Sequence, residues 1–562
     1  MSRFLLNKNF ISLIIILIPF LSFVNTNFHS FDSVFFNSVF FILFFVIVAI
    51  FLLSKFLSLF LKKLNYEIFN LVLSFVFFTL FYLFTFFKES LLYIAPIYSA
   101  EISLILSIIF LVLFLFLFFN QKYIFFKRFI LIYLSICFIA NLSVFIFNTT
   151  IFLSQKALTD ASVLIDEKGI EYLKKNKKTN MYFVVVDAAI ALDKFDKHYN
   201  TNYFSFYVPK FEKLGFNYVE NTNSAYHDTV HSLTSLFYLD YHIDEKNYKK
   251  YSLTNLFPVI LEKKNADKLA LIKNLKKINY KFKWLGNSYN DCRHNLDFCL
   301  DDNNKLKKNT LITPYIAKTF LQRSPLIQIY VKSKNFLGLS ISMPEYQKEN
   351  DALNIFMNKN DNFKFKNQGY FFLIHSLIPH WPYTFNSDCT IKKGLEILDE
   401  KKIQIEGKER SNNILEAKYY KEQYECMLKR VDEFVNFIDK NDPEANVVIT
   451  SDHGHNIKDF FILKYDTFAL VKKNKECQQN VPDNLNTANG ARLILGCTVG
   501  QKFGFLEKKL YYVYFQRGDM TIGGKLGLEK LDPDNYSEIY ERFPISSWGS
   551  VPKRNKISEK KL

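Results

Sequence analysis

The chain has 562 residues, 49% of them hydrophobic, and a formal net charge of +17. Its apolar residues crowd the first third, and its 62 Phe beside only 17 Gly fit an AT-rich coding bias, so aromatic content alone marks no binding surface. No basic helix or RNA-binding signature accompanies the charge, which argues against nucleic acid and for anionic lipid headgroups as its counterpart.

Five apolar runs, at 10–26, 34–61, 68–87, 102–120 and 128–148, have the length of membrane-crossing helices. Arg3 and Lys8 precede the first run, but Asn25-Thr26-Asn27 offers no small-residue cleavage site, so it is expected to stay attached. Lys62 and Lys63, then Lys122, Lys127 and Arg128, fall on the same side as the N-terminus, which the inside-positive bias makes the cytoplasm. Five crossings then put everything after residue 150 outside a bacterial inner membrane, in the periplasm. Charges along an intramembrane path would suggest conduction, yet the helix interiors hold almost none apart from Lys55, so anchoring is the expected role.

Residues 151–180 read as a polar, Lys-rich connector, and 181–550 as one outer domain followed by a basic tail at 551–562. MYFVVVDA (181–188) is a continuous apolar run ending in an acid, the pattern of a strand covered on both faces. Asp187 could supply an oxygen ligand there or simply cap the next helix. YHDTVHSLTSLF (226–237) is a polar turn running into helical spacing, with Thr229 near the helix start. A threonine hydroxyl becomes a nucleophile when a cation and a helix N-terminus stabilise its alkoxide. Ser232, Thr234 and Ser235 compete for that role, and an N-cap at Thr229 or Asp228 is the structural alternative.

Further along, GYFFLIHS (369–376) repeats the buried-strand pattern and leads into HSLIPHWPYTF (375–385). His380, in a loop stiffened by Pro379 and Pro382, could protonate a leaving oxygen; His375, nearer the strand, could bind substrate or pack in the core. Tyr420, Tyr424, Met427, Val431, Phe434 and Ile438 mark an amphipathic helix before a third buried strand, ANVVITSDHG (445–454), making a strand–helix–strand unit. Asp452 and His453 directly after that strand offer a carboxylate and an imidazole at the sheet edge where α/β sites form, a donor set suited to Zn or Mn. His227, His231 and His455 lie beside these segments and are candidates for substrate contact. Cys292, Cys299, Cys389, Cys426, Cys477 and Cys497 all fall in the outer part, an even number that fits an oxidising compartment. The pairs expected are 292 with 299, 389 with 426 and 477 with 497; the absence of any C-x-x-C argues against structural zinc.

Taken in order, these segments resemble the sulfatase-like hydrolases and transferases of the alkaline phosphatase superfamily over roughly residues 181–515. With five N-terminal helices the likeness narrows to the phosphoethanolamine transferases that modify lipid A and the lipoteichoic acid synthases that move phosphoglycerol. The resemblance implies an α/β fold with a mostly parallel sheet flanked by helices, and one divalent metal ion on Asp187, Thr229, Asp452 and His453. It implies Thr229 as nucleophile and substrate-side roles for His380 and His375; a membrane phospholipid donor, a glycan or lipid acceptor and a monomer are expected. The pattern departs in three places. Thr229-Val230-His231-Ser232-Leu233 lacks the C/S-x-P-x-R of formylglycine sulfatases, Asp187 is followed by Ala188-Ala189 and not by a second acid, and SDHG is followed by His455-Asn456 where the transferases commonly carry Glu. Hydrolysis of a sulfate or phosphate ester is therefore the alternative activity, and an inactive membrane-anchored binding module the alternative of another class.

Overall fold

The computed structural model describes residues 8–26, 33–60, 66–91, 99–119, 124–154, 163–246, 269–286, 351–358, 369–381, 383–392, 410–455, 464–515 and 526–531, with a few isolated positions. Cys292, Cys299 and the basic tail lie outside them. The described residues fall into two compact units, one built on Met1–Ser154 and the other holding the sheet.

In the first unit the apolar runs form helices Lys8–Thr26, Ser33–Phe60, Ser99–Phe119 and Ile124–Ser154, plus Tyr66–Phe78 continuing through a π turn into Phe84–Leu91. Four of these are long and apolar enough to cross a membrane; the fifth, Ser99–Phe119, is described as an apolar stretch over the shorter span Ile102–Leu117. Phe40, Phe44, Ile109, Phe116, Ile136 and Phe147 are all exposed, as lipid-facing side chains are. Where helices meet one another they use polar contacts as well: Asn70 Nδ2 donates to Asn9 Oδ1 at 3.1 Å, and Asn25 Nδ2 to the Asn141 carbonyl at 2.9 Å. Lys55 lies near the end of its helix, its ammonium 5.0 Å from the Phe51 ring centroid, where a long side chain can reach the interface.

The second unit is built on a six-stranded sheet. Its strands are β1 (Met181–Val186), β2 (Asn217–Tyr218), β3 (Lys281–Gly286), β4 (Tyr370–Ser376), β5 (Asn446–Thr450) and β6 (Ala469–Lys472), in the order β2-β6-β5-β1-β4-β3. β5, β1, β4 and β3 run parallel, and β6 and β2 close one edge antiparallel. The two strands that the sequence joins through a helix, β4 and β5, are not neighbours, because β1 lies between them. Strand alternation explains the unbroken apolar run in β1. Tyr182, Val184 and Val186 pack on one face against Tyr420, Tyr424, Phe434 and Ile438 of the helix Arg410–Asn441. Met181, Phe183 and Val185 pack on the other, with residues of the helices Thr229–Tyr238 and Thr487–Val499. In the latter helix a Cβ on Gly490 would stand 3.0 Å from Val448 Cγ1 and 3.1 Å from Phe183, so only glycine lets it lie this close to the sheet.

The segment expected as a connector is partly folded. Asp166 caps a helix, Glu167–Lys175, by accepting from the Gly169 amide, while Ile165 and Leu173 are buried with the β1 core. Its Lys residues occupy the outer face, which is why the stretch reads as polar. A separate pair, β7 (Leu510–Phe515) and β8 (Leu526–Leu531), forms an antiparallel ribbon. Among the described residues two of the expected disulfides are present, Cys389–Cys426 and Cys477–Cys497, and Cys137 is a free thiol; the pair expected at Cys292 and Cys299 lies outside them.

Candidate active site

The four parallel strands end at one edge, and the register of three of them delivers the chemistry there. β1 pairs with β4 up to Val186↔Ser376 and with β5 up to Val185↔Thr450, so Asp187, His375 and the Ser451–His453 turn arrive together. The turn after β1 is tied to the turn after β5. Ala189 N donates to Ser451 Oγ at 2.9 Å and Ala188 N to Asp452 Oδ1 at 3.2 Å. That second bond requires Ala188 at φ 61°, a left-handed conformation uncommon for a residue with a Cβ and characteristic of functional turns.

Thr229 reaches the same edge from the start of its helix. Asp228 is the cap, accepting from the His231 amide at 2.9 Å, which leaves the Thr229 hydroxyl without a capping duty. Thr229 Oγ1 lies 3.3 Å from His453 Nε2. The competing hydroxyls are all engaged with backbone: Ser232 Oγ with the Tyr226 carbonyl, Thr234 Oγ1 with that of Val230, and Ser235 Oγ with that of Ser232.

His453 Nδ1 donates to the Gly454 carbonyl at 2.7 Å, so Nε2 carries the lone pair. Around Nε2 stand Thr229 Oγ1, Asp187 Oδ1 at 3.4 Å and Asp452 Oδ2 at 3.8 Å. Both carboxylate oxygens are buried and accept no hydrogen bond among the described residues. Two carboxylates and an imidazole lone pair converging here, with the Thr229 hydroxyl as the one proton donor among the four converging groups, fit a cation. Donors about 2.0–2.1 Å from a tetrahedral zinc stand roughly 3.3–3.4 Å apart, close to the spacing here. Asp187, Thr229, Asp452 and His453 therefore fit a divalent metal. His380 and His375 extend the set, since Asp187-His380-His453 and Asp187-His375-Asp452 each bring donor atoms within 4.8 Å of one another. Burial alone would raise the Asp187 carboxyl, but His380, His375 and His453 hold it below the usual range. Asp452 is pushed up, first by burial and then by the Asp187 charge, against the pull of His453 and His375.

The other histidines separate by position. His380 Nδ1 is hydrogen-bonded to the Trp381 carbonyl, leaving Nε2 as the available ring atom, and its ring stands edge-on to His453 with centroids 5.9 Å apart. His455 stacks on Tyr420 at 3.8 Å and meets the Tyr383 hydroxyl at 3.3 Å; burial, with His380 next, lowers its pKa. Two expectations of substrate contact are corrected. His375 is fully buried on β4 with Nε2 3.2 Å from Asp187 Oδ2, a position that supports the carboxylate and is not open to solvent. His231, two residues after Thr229, is turned about 200° around the helix axis from it. Its Nδ1 lies 2.7 Å from Asp228 Oδ2 and its ring packs beside Tyr226 and His242. Burial would raise Asp228, but His231 and His227 hold it well below the carboxylate range.

Sequence reasoning passed over two residues that shape this edge. Gln423, on the helix Arg410–Asn441, holds the His380 loop: its Nε2 donates to the His380 carbonyl at 2.7 Å and its Oε1 accepts from the Thr384 amide at 2.7 Å and the Phe385 amide at 3.1 Å. Its place on the apolar face of that helix was the available signal. Lys464 is the other; it sits in no motif and gave none.

No protein-family model and no curated protein matches the chain. Among solved structures, it matches the C-terminal periplasmic domain of EcEptC from Escherichia coli, in complex with Zn, at 12% identity and a TM-score of 0.34, covering 62% of this chain and 91% of that one. The integral membrane lipooligosaccharide phosphoethanolamine transferase A from Neisseria meningitidis matches at 13% identity and a TM-score of 0.31, covering 83% and 88%. A Bacteroides thetaiotaomicron protein of glycosaminoglycan metabolism matches at 11% and 0.36, covering 64% and 88%. Overlaps this slight leave the functional reading to the residues themselves.

Proposed function

We propose that this is a membrane-anchored, metal-dependent phosphotransferase that moves a phosphoethanolamine or phosphoglycerol group from a phospholipid to a glycan or lipid acceptor outside the membrane. One observation carries the reading: a threonine hydroxyl released from helix capping stands 3.3 Å from an imidazole lone pair, beside two buried carboxylate oxygens that accept no hydrogen bond among the described residues. Asp187, Thr229, Asp452 and His453 would hold a divalent ion, Zn or Mn by donor type, which when bound lowers the pKa of a coordinated hydroxyl and draws off charge from a phosphoryl oxygen.

The chain's own residues would then act as follows. The Thr229 oxygen, at the positive end of its helix, attacks phosphorus; the Thr229 O–P bond forms as the P–O bond to the diacylglycerol oxygen breaks. His380 in its imidazolium form gives that oxygen a proton and, once neutral, takes one from the acceptor hydroxyl that displaces Thr229. Hydrolysis of a phosphate or sulfate ester shares the first half and differs only in using water as acceptor. The His455 that follows Gly454, where the transferases commonly carry Glu, is the feature that keeps this second reading in play.

Incubation of the purified chain with fluorescent phospholipid, with and without a glycan acceptor, tests the reading. Diacylglycerol release together with a phosphate-linked mass adduct on Thr229 is expected; cleavage of an aryl sulfate alone would transfer the assignment to hydrolysis, and neither reaction would leave a binding module.

A further inference from the structure

Tyr420 touches both turns that carry the proposed metal donors. It is fully buried on the helix Arg410–Asn441, on the face that packs against β1. Its hydroxyl donates to the Ala188 carbonyl at 2.8 Å and accepts from the Ile190 amide at 3.3 Å, so it grips the turn that directly follows Asp187. Its ring lies face to face with that of His455, centroids 3.8 Å apart and planes within 7°, just past His453 in the chain. Burial, with Tyr199 next, pushes the phenol well above its usual pKa, so it keeps the proton it donates. The peptide it grips is the strained one. Ala188 has φ 61°, a conformation that costs any residue bearing a Cβ and persists only where its surroundings hold it. There the Ala188 amide meets Asp452 Oδ1 at 3.2 Å while its carbonyl meets the Tyr420 hydroxyl.

We infer that Tyr420 is a positioning residue for the metal site: its hydroxyl holds Ala188 in the left-handed turn that sets the Asp187 carboxylate against Asp452 and His453. The inference rests on the proposed function for the presence of a divalent ion, and on nothing in it about ester or acceptor. Removing the hydroxyl while keeping the ring lets the Ala188 peptide relax toward ordinary backbone. The Asp187 oxygen that stands 3.4 Å from His453 Nε2 then loses its fixed distance. Tyr424, one turn further along the same helix, supplies a matched comparison. It is equally buried and its hydroxyl donates to the Ile190 carbonyl at 2.8 Å, but its ring stacks on Phe195, centroids 3.8 Å apart, where that of Tyr420 stacks on His455.

The test uses the full-length protein in detergent, with zinc affinity measured by competition against a chromophoric chelator and melting measured on metal-stripped samples. Tyr420→Phe is expected to bind zinc about tenfold or more weakly than wild type, the usual effect of losing a group that orients a metal ligand. Tyr424→Phe should stay within about threefold of wild type, while the two stripped variants lose similar amounts of melting temperature, one buried hydrogen-bond donor each. Equal zinc affinity in the two variants marks an ordinary structural hydrogen bond and overturns the inference, as does a Tyr420→Phe chain that no longer folds. Amide deuterium exchange of the stripped protein reads the same grip without metal. The Ala188 and Ala189 amides should exchange about tenfold or more faster in Tyr420→Phe than in wild type or Tyr424→Phe, and equal rates overturn the inference. A wild-type protein that binds no zinc ends the metal reading of the site, and the exchange comparison still decides whether Tyr420 holds the turn.

Discussion

Thr229 differs from the three hydroxyls that follow it in having no carbonyl to donate to, and that difference is what makes it available for chemistry. Thr229→Ala should abolish the mass adduct and lower transfer by roughly 10³-fold or more with the fold intact, measured by intact-protein mass spectrometry beside diacylglycerol release. If the site holds a divalent ion as proposed, Asp452→Ala should lose it, read by elemental analysis, because the change removes a carboxylate oxygen that faces His453 Nε2 and accepts no hydrogen bond among the described residues. Lys464 gives a dependence on pH. Burial pushes its ammonium down to about 8 from the ordinary 10.5, with Asp228 pulling it back up. Between those values the unfolded chain keeps a proton that the folded chain has shed, so this group makes stability rise with pH across that window. Below it the cost of the buried charge is present in full. Lys464→Met should lose that rise while His227, Asp228 and His455 remain, a difference visible in melting temperatures measured from pH 7 to 10. The metal-fitting residues were legible because each directly follows a buried strand or opens a helix. Lys464 was not, since its carbonyl meets the Gly454 amide only in the folded chain, and no motif marks it.

At the scale of elements, the helix Arg410–Asn441 both covers the sheet and fixes the loop that carries His380. Gln423 joins three backbone groups of that loop, and the Cys389–Cys426 disulfide fastens the loop to the same helix one turn further on. Gln423→Leu should leave two buried amides and a carbonyl unsatisfied, costing about 1–3 kcal/mol in stability for each group that water cannot reach, and should lower turnover with little change in metal content. The double change Cys389→Ser, Cys426→Ser should cost about 3–4 kcal/mol, read by thermal melting against reduced wild type, which should melt at a similar temperature if this bridge is the dominant one. The helix itself and its two flanking strands were readable from periodicity. That β1 would insert between β4 and β5 was not, because pairing order depends on contacts distant in sequence. The antiparallel strands β2 and β6 were missed for a related reason: two and four residues are too few for any period to show.

For the whole molecule, the proposed function assigns anchoring to the apolar helices and chemistry to the sheet unit. Reporter fusions should place residue 121 on the cytoplasmic face and residue 160 outside; a reporter active at 160 only on the cytoplasmic side would reverse the orientation and remove phospholipid of the outer leaflet as donor. By itself the sequence determined the apolar helices, the three buried strands and the residue types at their ends. Those follow from local period, length and the cost of burying charge, all of which act along the chain. Only the tertiary structure decided that His375 sets its ring against Asp187 and that Ser451 and Asp452 hold the turn after β1. These meetings join groups 188, 262 and 264 residues apart, and no local pattern encodes a meeting of that kind.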